Sequence, residues 1–203
     1  MKDEKTPARA GYHHGRLREA LLAAGRSALV KAGPDALSLR ALAREVGVSA
    51  NAAYRHFENR DDLLDALAAE GFARFADAQR VAIAKVARPR ARLRAAGRAY
   101  IAFATREPVM FRMMFDRVMR GRPHLELKTA SGDALSILLE CARTAIGAPG
   151  IDERTRVYAA AAWGLVHGLS ELSLGGQLVA LGMDPEVLID RVMRDPAVAL
   201  GGE

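Results

Sequence analysis

The sequence predicts an all-α protein, and three observations carry that reading. Apolar residues recur at intervals of three and four along most of the chain, the spacing that lines one face of a helix. The strict alternation that would line one face of a strand is scarce. Alanine, the strongest helix former, is abundant. With 203 residues, half of them hydrophobic, the chain suffices for one domain, or for a small one and a larger one, with a packed core.

Residues 1–14 are polar and basic and read as a flexible arm. From Arg16 to Lys31, Leu17, Leu21, Ala24 and Ala28 share one face, and Gly33-Pro34 ends the helix. Ser38 is placed to N-cap a second helix, whose face is Leu39, Leu42, Ala43 and Val46. Gly47 breaks it, and Ser49 caps a third helix over Ala50 to Phe57. Asn59 caps a fourth, with Asp61 and Asp62 in its first turn, where negative charge complements the helix dipole. This helix is expected over Arg60 to Ala87, with Leu64, Leu67, Gly71, Phe75, Ala78, Ala82 and Val86 keeping the period. At about 1.5 Å per residue it would be about 40 Å long, enough to tie an N-terminal module rigidly to the rest. Further helices are expected at about 90–106, 108–120, 124–146, 152–174 and 184–194, making nine. Pro108 and Pro185 suit first turns, and residues 147–150 read as a loop.

The charge is unevenly spread. Residues 1–60 hold 11 Lys/Arg against 6 Asp/Glu, a balance of +5, while residues 61–203 hold 19 against 18, a balance of +1. A basic first third on a nearly neutral remainder implies an anionic partner, nucleic acid first and acidic membrane second. No stretch approaches the roughly 18 consecutive apolar residues of a membrane span. The start, MKDEKTPARAGYHHG, lacks the apolar centre of a secretory signal. One cysteine, Cys141, allows neither an internal disulfide nor a cysteine metal cluster. The sequence has no phosphate-cradling glycine loop, metal-ligand pair or nucleophile elbow, so no enzyme, metal or cofactor is expected. The expectation is a soluble, cytoplasmic protein.

The most informative segment is Ser38 to Leu64, SLRALAREVGVSANAAYRHFENRDDLL. Two short helices joined by Gly47-Val48-Ser49 make a helix-turn-helix pattern. Gly47 permits the left-handed backbone of a tight turn. Leu42, Val46, Val48 and Phe57 can fix the angle between the helices, and the second can then enter a DNA major groove with its N-terminal side chains at base edges.

The segment resembles the DNA-binding domain of the TetR (tetracycline repressor) family of bacterial transcription regulators. The matching residues are Ser38-Leu39-x-x-Leu42-Ala43, Gly47-Val48-Ser49, Tyr54-x-His56-Phe57 and Asn59-Arg60-x-x-Leu63-Leu64. A shorter similarity, to the TetR subgroup with a Trp-His-Gly signature, rests on Tyr12-His13-His14-Gly15, Pro108-x-x-Phe111-Arg112-x-Met114-Phe115 and Trp163-Gly164-x-Val166-His167-Gly168. The resemblance implies a DNA-binding domain over residues 1–60 and a ligand-binding and dimerisation domain over 61–203. It implies a homodimer on a near-palindromic double-stranded operator, released by a small, mostly hydrophobic effector.

Carried over by position, Arg40, Ala50, Asn51 and Tyr54 match sites that reach base edges. Arg40 suits guanine and Asn51 suits adenine. Ser38, Ser49, Tyr54, His56 and Arg60 belong to the same DNA-binding set, largely as phosphate contacts, and Arg60 stands where the family usually has Lys. Ala50, Ala52 and Ala53 leave the reading helix with few base-reading groups beyond Asn51. Lys2, Lys5, Arg9, His13, His14 and Arg16, in or beside the arm, could add phosphate or minor-groove contacts.

In the body, Phe103, Met110, Phe111, Met114, Phe115, Trp163 and His167 are the ligand-pocket candidates, because flexible Met and flat aromatic side chains suit an adaptable apolar cavity. Ordinary core packing is the alternative for this stripe, and a core anchor with a satisfied imidazole is the alternative for Trp163 and His167. Gly164 and Gly168, four apart, suggest close approach of another backbone. With the family resemblance they point to a dimer face offering Tyr158, Ala162, Leu165, Leu169, Leu172, Val187, Leu188 and Val192. An orphan regulator or activator without an inducer, and a sequence-nonspecific DNA-coating protein, remain as alternatives.

Overall fold

Helix α1, Ala10–Ala32, opens the fold. The computed structural model describes residues 10–120, 124–184, 187, 188, 191 and 192, with side chains from Arg16 onward. Residues 10–14, expected in the arm, are therefore helical. Gly15 inside α1 costs only about 1 kcal/mol relative to Ala, which a helix of 23 residues can absorb. Lys2, Lys5 and Arg9 lie outside the described residues, as do the side chains of His13 and His14.

After a single 3-10 turn at Pro34–Ala36 come α2, Leu39–Glu45, and α3, Ala50–Tyr54. Both start where the sequence places a cap. The Ser38 Oγ accepts from the Ala41 N–H and the Ser49 Oγ from the Ala52 N–H, satisfying amides the helices leave open. Gly47 has φ of +76°, a conformation that disfavours any side chain. The third helix ends at Tyr54 rather than Phe57, but the chain stays coiled: the His56 and Phe57 N–H groups both donate to the Ala53 carbonyl. Phe57, 1 % exposed, thus reaches the core with Leu21, Leu42, Ala53 and Leu63. The Arg18 guanidinium lies 5.5 Å from its ring centre.

Helix α4, Arg60–Ala84, is the spine of the molecule. The Asn59 side chain caps it by accepting from the Asp62 N–H. It packs against α1 and against α5 (Pro89–Arg106), α6 (Pro108–Arg120) and α7 (Leu125–Ile146). It stops three residues before Ala87 because Arg88, preceding Pro89, is held extended. At Gly71 a Cβ would meet the Met110 sulfur at 2.8 Å, so the Met110 side chain of α6 is seated directly over this glycine of α4.

Helix α8, Glu153–Leu174, packs on α5 and α7 and is capped by the Asp152 carboxylate, which accepts from the Thr155 N–H. It starts one residue later than expected. A four-residue helix α9, Gln177–Ala180, follows Gly175-Gly176 and was not expected from the periodicity, which is uninformative over so few residues. The helix expected over 184–194 lies largely outside the described residues. Of it, positions 187, 188, 191 and 192 are helical. Among the described residues there are nine α-helices and no strand, and no helix is long and apolar enough to cross a membrane.

Candidate functional site

Two sites emerge, a reading head and a cavity, with α4 between them. In the head, Ser38, Arg40, Ser49, Asn51 and Tyr54 are exposed, and Ala50 and His56 are half-buried. Tyr54 keeps 41 % of its surface, although Ala53 beside it is fully buried. A buried tyrosine would be a packing residue. This one stands out from α3 beside Asn51, three residues and nearly one helical turn earlier. Ser38 and Ser49 spend their hydroxyl oxygens on caps, which leaves their O–H groups to donate outward. Arg60 is placed differently. Its guanidinium donates to the Pro34 carbonyl at 2.6 Å and lies 3.4 Å from the Asp35 carboxylate, tying the start of α4 to the turn after α1.

The cavity, of about 360 Å³, lies between α4, α5, α7 and α8, with the end of α6 at its rim. Phe72, Phe75, Tyr100, Phe115 and Trp163 supply aromatic walls, and Leu93, Ala134, Leu138, Ala162 and Val166 supply aliphatic ones. Of the seven pocket residues proposed from sequence, Phe115 and Trp163 line it. Phe103, Met110, Phe111 and Met114 are 3 % exposed or less and belong to the core behind it. His167 also lies behind the wall, where its Nδ1 is 2.7 Å from the Tyr100 hydroxyl. The Trp163 indole N–H donates to the same hydroxyl at 3.2 Å. The Tyr100 hydroxyl is thus the shared partner of the indole and the imidazole. Burial pushes the Tyr100 hydroxyl well above the usual tyrosine range, against the opposing Trp163 hydrogen bond.

Edge-to-face contacts hold the walls. The Phe75 ring centre lies 5.0 Å from that of Tyr100 and 5.4 Å from that of Phe103. Phe115 lies 5.0 Å from both Phe111 and His167. Such pairs stabilise beyond simple burial by about 0.5–1.5 kcal/mol each. Sequence reasoning missed Phe72, Phe75, Gln79, Tyr100 and Lys128 as cavity residues. One signal was readable: Gln79 continues the Phe72-Phe75 face of α4, a polar residue at a core position.

A clasp joins the cavity side to the head side. Arg117 of α6 donates through Nε to Asp65 at 2.7 Å and through a terminal nitrogen to Asp61 at 2.8 Å. The His124 backbone N–H donates to the other Asp65 oxygen at 3.1 Å, so this carboxylate, 3 % exposed, is held from two helices. Desolvation alone would lower the Arg117 pKa, but the Asp65 and Asp61 carboxylates more than offset it and raise it.

On α8, Val157, Tyr158, Ala161, Gly164, Gly168 and Leu172 form an open, largely apolar strip. A Cβ added at Gly164 or Gly168 would meet nothing within 4 Å. Among the described residues, therefore, nothing packs directly on these glycines. Leu165 is half-buried beside the strip, Ala162 lines the cavity, and Leu169 and Val192 are buried within the chain. Val187 is exposed and Leu188 packs against the core.

Comparison with known proteins follows this division. Residues 21–67 match the family "Bacterial regulatory proteins, tetR family", and residues 93–195 match "Tetracyclin repressor-like, C-terminal domain". A protein of unknown function from Rhodococcus sp. RHA1 is 33 % identical, with 92 % of this chain and 96 % of that one covered and a TM-score of 0.78. SCO4313, described as a regulatory protein, is 25 % identical over 94 % of this chain and 98 % of its own, with a TM-score of 0.74. AibR, solved with isovaleryl coenzyme A and operator DNA, shares the fold at 19 % identity, over 76 % of this chain and 85 % of its own, with a TM-score of 0.56. No curated protein matches the chain. The helix-turn-helix head, the helical body and these matches together place the chain in the TetR family of DNA-binding transcription regulators.

Proposed function

We propose that this chain is a homodimeric, cytoplasmic repressor of the Trp-His-Gly TetR subgroup, which binds a near-palindromic operator and is released by a small, mostly apolar molecule. In this proposal residues 1–60 form the reading head and 61–203 the ligand and dimer body. Arg40, Ala50, Asn51 and Tyr54 reach base edges, and Ser38, Ser49 and His56 contact phosphates. Arg60 acts on DNA mainly by fixing the start of α4, since Pro34 and Asp35 already engage its guanidinium. The observation that carries the reading is an exposed, Ser49-capped helix with Asn51 and Tyr54 outward, in a chain whose α4 also walls an apolar cavity.

Release follows from a population shift. A ligand that prefers a spacing of the two heads unsuited to the operator weakens DNA binding by its differential affinity and no more. The test is selection of bound genomic fragments, followed by footprinting and a screen for small molecules that release the best fragment. A discrete protected palindrome with ligand-sensitive occupancy supports the proposal. Uniform coverage of any DNA would support a coating protein, and a discrete footprint insensitive to every ligand would support an orphan regulator.

A further inference from the structure

The cavity is apolar but has two polar features that no wall residue absorbs. Gln79 lines it from α4 at 5 % exposure, and its Oε1 is buried without a hydrogen-bond partner. A buried acceptor left unpaired is costly, and a native protein retains one where something else pairs it. The terminal amide torsion is soft, so either edge of the amide can turn to an occupant. Lys128 lines the mouth from the exposed side of α7, and no ion pair to it is present among the described residues. Between the amide inside and the ammonium outside the walls are mostly aromatic and aliphatic, and the Ser131 hydroxyl near the mouth donates to the Lys128 carbonyl.

We infer that the effector is a small monoanion with an apolar, preferably aromatic, body. Its hydroxyl or N–H group pairs with the Gln79 amide, and its carboxylate or similar anionic group sits at the mouth beside Lys128. The inference rests on the cavity being the effector site, and it adds polarity, charge sign and orientation. A hydroxyl satisfies both edges of an amide, because it donates to Oε1 and accepts from Nε2. A neutral hydrocarbon would leave Oε1 unpaired. A cation would meet Lys128 as a like charge.

The test uses the full chain and two dyes that differ by one group. Anilinonaphthalene sulfonate has an aromatic body, an N–H and an anion, and N-phenylnaphthylamine lacks only the anion. Dye emission and quenching of Trp163, the only tryptophan, are read together. Gln79→Met is expected to weaken both dyes about tenfold while raising the thermal unfolding midpoint, because it removes an unpaired buried acceptor. Lys128→Gln is expected to weaken the sulfonate about three- to fivefold, the range of an exposed ion pair, and to leave the neutral dye unchanged. Ala134→Phe, which fills the cavity, is expected to abolish binding of both. If Ala134→Phe abolishes binding but neither Gln79→Met nor Lys128→Gln alters it, the ligand class is overturned and the cavity reading stands. If Ala134→Phe leaves both dyes bound, or neither dye quenches Trp163, the cavity reading is overturned and the inference with it.

Discussion

At the scale of single residues, neighbours in sequence have opposite roles, and burial separates them. Tyr54 and Phe57 are three apart, yet one is 41 % exposed and the other 1 %. Tyr54→Ala and Asn51→Ala should each weaken operator binding by about 1–3 kcal/mol in a gel-shift titration, with an unchanged circular-dichroism melt. Phe57→Ala should instead destabilise the head by about 3–5 kcal/mol and lose DNA binding through unfolding. Tyr54 was legible only through the family resemblance of its Tyr54-x-His56-Phe57 motif, since the helical period by itself also allowed it to pack on the helix pair. Tyr100 was not legible as a cavity residue, because its role depends on which residues of α8 cross it. Removing its hydroxyl leaves the Trp163 N–H and His167 Nδ1 without their shared partner, so Tyr100→Phe should cost about 1–2 kcal/mol in urea denaturation. Its raised pKa has a pH signature. The stability it contributes is intact below the unfolded tyrosine value of about 10 and falls as pH rises above it, because only the unfolded chain then ionises. A stability–pH curve that loses this alkaline decline in Tyr100→Phe is the expected result.

At the scale of helices, starts were easier to read than contacts. Ser38, Ser49, Asn59 and Asp152 each cap a helix, because a side-chain oxygen that accepts from an amide of the first turn is a local event written in local sequence. The pairing of Arg117 with Asp65 and Asp61 spans more than 50 positions and depends on α6 crossing the start of α4. At that crossing the Met110 side chain lies over Gly71. The same helix places Phe115, Val118 and Met119 on the cavity and Arg117 on the clasp. α6 thus touches both the cavity and the end of α4 nearest the head. Arg117→Leu leaves the Asp65 carboxylate buried with only the His124 amide, and should destabilise the chain by about 3–5 kcal/mol. The double change Asp65→Leu with Arg117→Leu should recover most of that, since it removes the stranded charge. Equal losses in the single and double variants, by chemical denaturation, would show that the clasp is not a coupled pair.

At the scale of the molecule, the uneven charge of the sequence acquires a location. In the proposed division the basic first third belongs to the head, and the nearly neutral remainder holds the cavity and the α8 strip. Half of the dimer face expected from sequence turns inward, because helical period alone cannot say which of two apolar sides of α8 meets its own body. Ala162 and Leu169 face the protomer, while Val157, Gly164 and Gly168 face out. Among the described residues nothing lies within 4 Å of a Cβ added at either glycine, and a glycine in mid-helix costs about 1 kcal/mol against alanine. In the proposed dimer a second copy of α8 lies against them, and close backbone packing would offset that cost. A large charged side chain there should separate the protomers without disturbing either fold. Gly168→Arg is therefore expected to give a monomer in sedimentation equilibrium at micromolar concentration, with the thermal melt of the isolated protomer retained. A two-fold dimer reads two half-sites about one helical turn of DNA apart, or slightly more, so the same variant should bind a full operator no more tightly than a half-site. A wild-type chain that sediments as a monomer, or a Gly168→Arg chain that remains a dimer, would falsify this placement of the interface.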